Sequence, residues 1–288
     1  MMTIRTIKAK RATTTMKILS RLVLSTLFAA CVSSMLVACS SDNDGDDNGH
    51  EAPVVGINPT EVFTGKRIKD FNGAKMTYNE EGLLTNVKSP DESVTFVYPT
   101  GTTTSGNHIK MTICDKDPLY GKEMYIDMTI GTNGFVESAI ETYENTGGKE
   151  TWKFEYNEEG HLYKMKRSEG GNETTTLTYT GNNIAEVDMT SEKDPTERQH
   201  VTLSYGSTPM ENKACIMLFD ETFGIDMDEM IYAYWAGLLG KATRHLPTAA
   251  NYEDEGTETF KWDVDGEGYP SSMTHKSGHA TYTYQFGW

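Results

Sequence analysis

The sequence has no hydrophobic run long enough to cross a bilayer comfortably. Its longest uncharged apolar stretch, Leu22 to Ala38, is 17 residues, against about 20 for a spanning helix. Basic residues are scarce as well: 26 Lys and Arg stand against 42 Asp and Glu in 288 residues, a formal net charge of −16. Arg5, Lys8, Lys10, Arg11, Lys17 and Arg21 fall in the first 38 positions without one acid. Residues 39–288 therefore carry 20 basic and 42 acidic side chains, a net of −22. So negative a field excludes nucleic acid and a polybasic membrane patch, since both need clustered Lys and Arg. Catalytic signatures are missing too. There is no G-x-S-x-G and no H-E-x-x-H, and Gly237-Leu238-Leu239-Gly240-Lys241 lacks the spacing of a phosphate-binding loop. No cofactor is implied.

The N-terminus carries an address. The apolar stretch follows a basic segment and fits a secretory signal. It ends in Leu36-Val37-Ala38-Cys39 followed by Ser40-Ser41, which resembles the bacterial lipoprotein signal, whose Cys is diacylated and becomes the mature N-terminus. Cys39 is the expected lipidation site, residues 1–38 the signal peptide, and Met16 a plausible true start. Residues 39–55 form an acidic segment (Ser40-Ser41-Asp42-Asn43-Asp44-Gly45-Asp46-Asp47) that cannot repay the entropy of ordering and reads as a flexible tether. Acids just after a lipidated Cys resemble the surface-export signal of Bacteroidetes lipoproteins. Asp44, Asp46, Asn48 and Gly49 match the start of a calcium loop, but Val55 stands where the bidentate Glu belongs. Anchored by lipid at the outer membrane, the protein is expected to face the cell surface, or otherwise the periplasm.

Residues 56–288 read as one β-rich domain, long enough for a sizeable core. Thr, Tyr, Val, Ile and Phe recur in short alternating runs, joined by a repeated turn. Met76-Thr77-Tyr78 leads into Asn79-Glu80-Glu81-Gly82, and Phe154-Glu155-Tyr156 into Asn157-Glu158-Glu159-Gly160. Weaker copies are Gly131–Gly134, Asp265–Gly268 and Thr180–Asn183. The pattern predicts a type I turn opened by Asn or Asp and closed by a left-handed Gly or Asn, hence hairpins with bulges. The expected fold is mainly β: an antiparallel meander curled into a barrel-like or half-barrel sheet. One apolar face collects Trp152, Phe154 and Tyr156; Val94, Phe96 and Tyr98; Phe260, Trp262 and Val264; and Tyr282, Tyr284, Phe286 and Trp288. One segment breaks the pattern. Asp226 to Leu239 follows helical spacing, with Asp226 and Glu229 as a capping box and Gly240 as a stop, so a helix over about 226–239 is expected to cover the sheet.

These turns, with Tyr232-Ala233-Tyr234-Trp235-Ala236-Gly237-Leu238-Leu239-Gly240-Lys241 and His245-Leu246-Pro247, resemble a family of gut Bacteroides lipoproteins carrying a domain of unknown function with a porin-like fold. The resemblance covers roughly Gly56 to Trp288. It implies a barrel or strongly curved sheet and no activity. The turns also look like the tyrosine-aspartate repeats of Rhs-type shells, but too few regular copies occur to close one.

Candidate sites are few. Trp152, Phe154, Tyr156, Trp262, Tyr282, Tyr284 and Phe286 form an aromatic face suited to a core or to an apolar ligand. An exported compartment permits a disulfide between Cys114 and Cys215, and buried free thiols fit their apolar surroundings equally well. His275 and His279 are separated by turn chemistry and read as exposed turn residues, so no metal site is expected. The carboxylates could supply a glycosidase-like pair, but nothing in the sequence selects two. The expected function is non-enzymatic binding of an apolar or amphiphilic small molecule, a glycan or a protein partner. A hydrolase of extracellular glycan or peptide and a transmembrane β-barrel pore are the alternatives. Short runs and aromatics spread along the whole face argue for a soluble barrel over a spanning one.

Overall fold

A computed structural model describes residues 57, 59–99, 107–115, 123–144, 146–216 and 221–288. The signal peptide, Cys39, the acidic tether and its calcium-like loop lie outside the described residues. Pro53–Trp288 forms one compact unit.

The chain builds its wall as a meander. It begins with a short helix, α1 (Pro59–Val62), then β1 (Asp70–Phe71), β2 (Ala74–Tyr78), β3 (Leu84–Lys88), β4 (Glu92–Val97) and β5 (His108–Asp115). Next come β6 (Glu123–Ile130), β7 (Val136–Tyr143), β8 (Lys149–Tyr156) and β9 (Leu162–Arg167). A helical turn, α2 (Glu169–Asn172), leads to β10 (Glu173–Thr180), β11 (Asn183–Ser191) and β12 (Arg198–Ser204). An insertion holding β13 (Met210–Glu211), α3 (Ile231–Trp235) and β14 (His245–Leu246) interrupts the meander. Then β15 (Ala249–Tyr252), β16 (Gly256–Val264), β17 (Pro270–Ser277) and β18 (Ala280–Gly287) complete it. All neighbours are antiparallel, β12 pairs directly with β15, and β1 pairs with β18 through Asp70↔Gly287 and Phe71↔Phe286. Sixteen strands thus close a barrel. The half-barrel alternative falls.

Four of the repeated turns share one geometry at one rim. The N–H of Gly82, Gly134, Gly160 and Gly268 donates to the carbonyl of Asn79, Gly131, Asn157 and Asp265, at 2.9–3.1 Å. Each Gly has φ between +76° and +87°, where a Cβ would be strained. The side chains of Asn79, Asn157 and Asp265 accept from the N–H of the residue just past the turn, at 2.8–2.9 Å. A register shift accompanies every one of these turns. The bulge after Asp263 also moves Val264 off the apolar face that sequence alternation assigns it, leaving it 41% exposed.

A second repeat locks this rim. Tyr98, Tyr156, Tyr179 and Tyr205 each end an inward-facing run, and each hydroxyl donates to a carbonyl at or near the start of the neighbouring strand: Leu84, Val136, Leu162 and Ile184, at 2.6–2.9 Å. Tyr78 does the same to Ile68 at 2.7 Å, and Trp288 Nε1 to Pro270 at 2.7 Å. Buried Tyr and Trp place their ring in the core and their one polar atom on a partner.

Alternation sorts the two faces of the wall. Ile109, Met111, Ile113, Trp152, Phe154 and Leu177 point inward and are buried, while Lys75, Lys110, Lys153, Glu155 and Lys261 point outward and are exposed. A barrel of sixteen strands has a lumen too wide for wall side chains to fill. The insertion between β12 and β15 fills it. Near the turn rim its base is held by Asn212, whose N–H donates to Arg244 O at 2.9 Å and whose Nδ2 donates to Thr243 O. It reaches the opposite rim, where Asp226 meets Arg167 at 3.0 Å and Tyr232 donates to Glu92. It then returns, with Leu238 O accepting from Val136 N and Lys241 N donating to Gly160 O. Ile225, Met230, Ala233, Tyr234, Leu238 and Leu239 are fully buried along this plug.

The helix is shorter than its periodicity predicts. A 3-10 turn, Asp228–Met230, precedes α3, which ends at Trp235. Asp228 sits at φ +45° and breaks the first turn, and no side chain caps it. Gly237 at φ +75° ends the helix early, so that the next carbonyl, Leu238 O, is free to bond the wall. The apolar periodicity reports burial all round inside a lumen, which a sheet-covering helix and an extended plug share.

Candidate functional site

Between the plug and the β16–β18/β1 wall lies an apolar cleft. Its free space, open mouth included, is about 670 Å³. Phe223, Trp262, Met273 and Tyr284 are buried along its inner side, and Phe71, Trp235 and Phe286 complete the aromatic surround. Half-buried Phe63, Ile68, Cys215, Ile216 and Trp288 line the side next to the turn rim. Ring contacts hold the surround: Phe71–Trp235 at 5.1 Å, Phe71–Tyr284 at 6.0 Å and Trp262–Phe286 at 5.9 Å. Trp262 Nε1 donates to Pro247 O at 2.7 Å, so its ring face, not its polar atom, meets the cleft. Three of the four Trp of the chain line this space.

The structure divides the aromatic face read from the sequence. Trp262, Tyr284 and Phe286 meet in the cleft. Tyr156 is a rim lock, and Trp152 stacks on Phe154 at 5.9 Å. Tyr282 lies beside His275, 5.7 Å away. Sequence reading missed Phe71, Trp235 and Phe63. Phe71 belongs to a two-residue strand too short to alternate, and Trp235 lies on the segment whose helical spacing reads as a face packed on the sheet.

The rim opposite the Asn/Asp–Gly turns holds a second cluster, of carboxylates. Glu141 is 1% exposed and accepts from Trp152 Nε1 at 2.7 Å. Burial pushes its pKa up to about 8, with Asp228, Glu150 and Glu169 adding repulsion against the Trp152 bond. Burial raises Glu150 and Glu173 too. Glu169 shifts the same way, but its side chain is 43% exposed and water screens it. Arg167, 13% exposed, is the cation among them. Its Nε donates to Glu173 at 2.6 Å, and its Nη2 lies 3.0 Å from Asp226 of the plug. Burial works against its charge, and Asp226, Glu173 and Glu169 more than offset it. This cluster ties plug to wall, and sequence spacing could not reveal it because its members are spread from residue 141 to 228.

The remaining expected sites are corrected or stay apart. Cys114 and Cys215 are free thiols. Cys114 lies on the outer face of β5 beside Glu123 at 3.6 Å, while Cys215 lines the cleft, so the barrel wall separates them and no bridge forms. His275 is buried on β17, not exposed in a turn, with Nε2 2.6 Å from Glu258, whereas His279 is exposed. Among the described residues no group of three or more His, Cys, Asp or Glu is placed to hold a metal ion.

No family model and no curated protein sequence matches the chain. Solved structures do resemble it. A porin-like protein from Bacteroides uniformis ATCC 8492 superposes with a TM-score of 0.55 at 16% identity, over 74% of this chain and 88% of that one. A porin-like protein from Bacteroides vulgatus ATCC 8482 gives 0.55 at 12% identity, over 78% and 99%. At such identities the likeness carries the fold alone: this chain is a closed β-barrel of the porin-like kind.

Proposed function

We propose that this is a non-enzymatic binding protein, anchored by lipid on Cys39 at the outer membrane, whose barrel stays in water and holds an apolar or amphiphilic small molecule in its aromatic cleft. The observation that carries the reading is the cleft itself. A dozen or more apolar side chains surround free space in a core otherwise filled by its own plug. Interiors close-pack, and an aromatic surface left unfilled costs dispersion contacts that a ligand restores.

Two features argue against a conducting pore. The outward residues of β5, β8 and β16 include Lys110, Lys153, Glu155 and Lys261, and Lys on a lipid-facing strand costs about 2–4 kcal/mol at mid-bilayer. The lumen is occupied by the plug, whose Ile225, Met230, Ala233, Tyr234, Leu238 and Leu239 are fully buried. A hydrolase reading lacks a comparable anchor, since Glu141 is engaged with Trp152 and Glu173 with Arg167.

The test uses residues 40–288, purified without detergent, and N-phenyl-1-naphthylamine as a neutral apolar probe. The protein should sediment as a dispersed species, and the probe should brighten on binding with a stoichiometry near one. Aggregation relieved only by detergent, with conductance in planar bilayers, overturns the water-exposed barrel. A dispersed protein that leaves the probe dark overturns the cleft as a ligand site.

A further inference from the structure

Cations gather at the mouth of the cleft in a chain that has few of them. Lys66, Arg67 and Lys213 all lie there, although residues 39–288 carry a net charge of −22. Arg67 directly precedes Ile68, and Lys213 directly precedes the Ala214–Ile216 segment, both of which line the cleft. The Arg67 guanidinium lies over the ring of Phe63, 5.3 Å from its centroid, and 5.7 Å from that of Tyr78. Phe63 is itself a lining residue. Lys213 Nζ lies 5.1 Å from the centre of Tyr269, whose ring is 5.4 Å from Trp288, another lining residue.

These cations differ in how they are neutralised. Lys66 is paired with Glu267 at 2.6 Å, in the exposed turn that also holds Asp265. Among the described residues, Arg67 and Lys213 form no ion pair with a carboxylate. Lys213 donates to the backbone carbonyl of Glu267 at 2.5 Å, which satisfies one of its three N–H groups and leaves its charge unmatched. Among the described residues Arg67 is held by ring faces, and Gly82 leaves it room: a Cβ on Gly82 would lie 3.1–3.3 Å from the guanidinium. Ring faces hold a cation by their quadrupole without consuming the edge donors that match a carboxylate.

We propose that the cleft takes an anionic amphiphile, a long-chain carboxylate, with its apolar chain against Phe71, Trp262 and Phe286 and its carboxylate at the mouth between Arg67 and Lys213. This rests on the reading of the cleft as a ligand site and adds the sign of the head group. The two cations oppose a surrounding negative potential that would repel anions elsewhere on the surface. A neutral apolar ligand would leave both charges as they stand. A cationic amphiphile would place like charges together, a cost that favours rejection.

The test is a calorimetric titration of residues 40–288, which hold the whole compact unit, with three twelve-carbon probes below their micelle concentrations. Dodecanoate should bind at least tenfold more tightly than dodecan-1-ol, and dodecyltrimethylammonium more weakly than either. Raising salt from 0.05 to 0.5 M should weaken dodecanoate alone. The Arg67→Gln/Lys213→Gln double variant should lose that tenfold preference while keeping dodecan-1-ol affinity and the thermal midpoint of the parent. If dodecan-1-ol binds as tightly as dodecanoate, or the double variant keeps the preference, the anionic assignment fails and the cleft reading stands. If none of the three binds, both fail.

Discussion

Replacing Glu141 with Gln should stabilise the barrel, and by an amount that grows with pH. Glu141 is 1% exposed and accepts from Trp152 Nε1 at 2.7 Å, a bond a Gln carbonyl can accept equally. Burial lifts its folded-state pKa to about 8, whereas the unfolded chain ionises near 4.3. The raised value means the carboxyl favours folding most below about pH 4 and gives up that contribution as pH rises toward 8, because the unfolded state alone can release the proton. Each pH unit in that window costs about 1.4 kcal/mol. From pH 5.5 to 7.5 the wild type should therefore lose about 2–3 kcal/mol through this group, and Glu141→Gln should lose none of it. Repulsion from Asp228, Glu150 and Glu169 is already part of that raised value. Urea unfolding followed by Trp fluorescence at pH 5.5, 6.5 and 7.5 reads the difference between the two proteins. A difference that does not change with pH, or a variant less stable than wild type at pH 7.5, refutes a buried neutral acid at this position.

Four other variants have expected outcomes, three from the barrel's geometry and one, at Cys39, from the sequence. Arg167→Ala should destabilise by about 3 kcal/mol near pH 7.5, the low end for a broken buried pair because Asp226 is 34% exposed, and acidifying to pH 5.5 should recover part of that; equal losses at both pH values by urea unfolding would show that the cluster is not electrostatically coupled. Gly240→Ala should cost at least about 2 kcal/mol, since φ is +89° and the new Cβ would lie 2.7 Å from Gly160 O. Gly256→Ala, at the same φ with nothing within 4 Å, should cost only about 1 kcal/mol in the same thermal melts. Cys39→Ser should move the protein from the membrane pellet to the soluble fraction of lysed cells, and persistence in the pellet would contradict lipid anchoring.

How far the sequence reveals this protein depends on the range of the interaction concerned. The Asn/Asp–Gly turns are legible because their physics is contained in four residues: Asn79 and Gly82 specify the same bend wherever they occur. Inward alternation is legible for the same reason, and Trp262, Tyr284 and Phe286 do meet at the cleft. Val264 is misplaced because a bulge shifts the alternation by one residue, a choice made in pairing with Pro270. Barrel closure rests on Asp70 and Phe71 meeting Gly287 and Phe286, more than 200 residues apart, with no local trace. The plug is a compromise of the same kind. Its apolar periodicity signals burial correctly, yet Asp228 and Gly237 limit the helix, and the lumen around it decides its path. The carboxylate cluster gathers four wall or rim acids and the plug's Asp226 and Asp228 around one Arg, so only the finished barrel brings it into being.

The most direct test of the central claim is a crystal of residues 40–288 grown with 1-bromododecane, read by bromine anomalous scattering. A filled cleft predicts one dominant peak among Trp262, Phe71 and Phe286, with the plug in place and no density on the outer wall. Peaks banded around the outer face of the strands, or a lumen emptied of residues 221–247, would contradict a water-exposed barrel that binds its ligand beside its own plug.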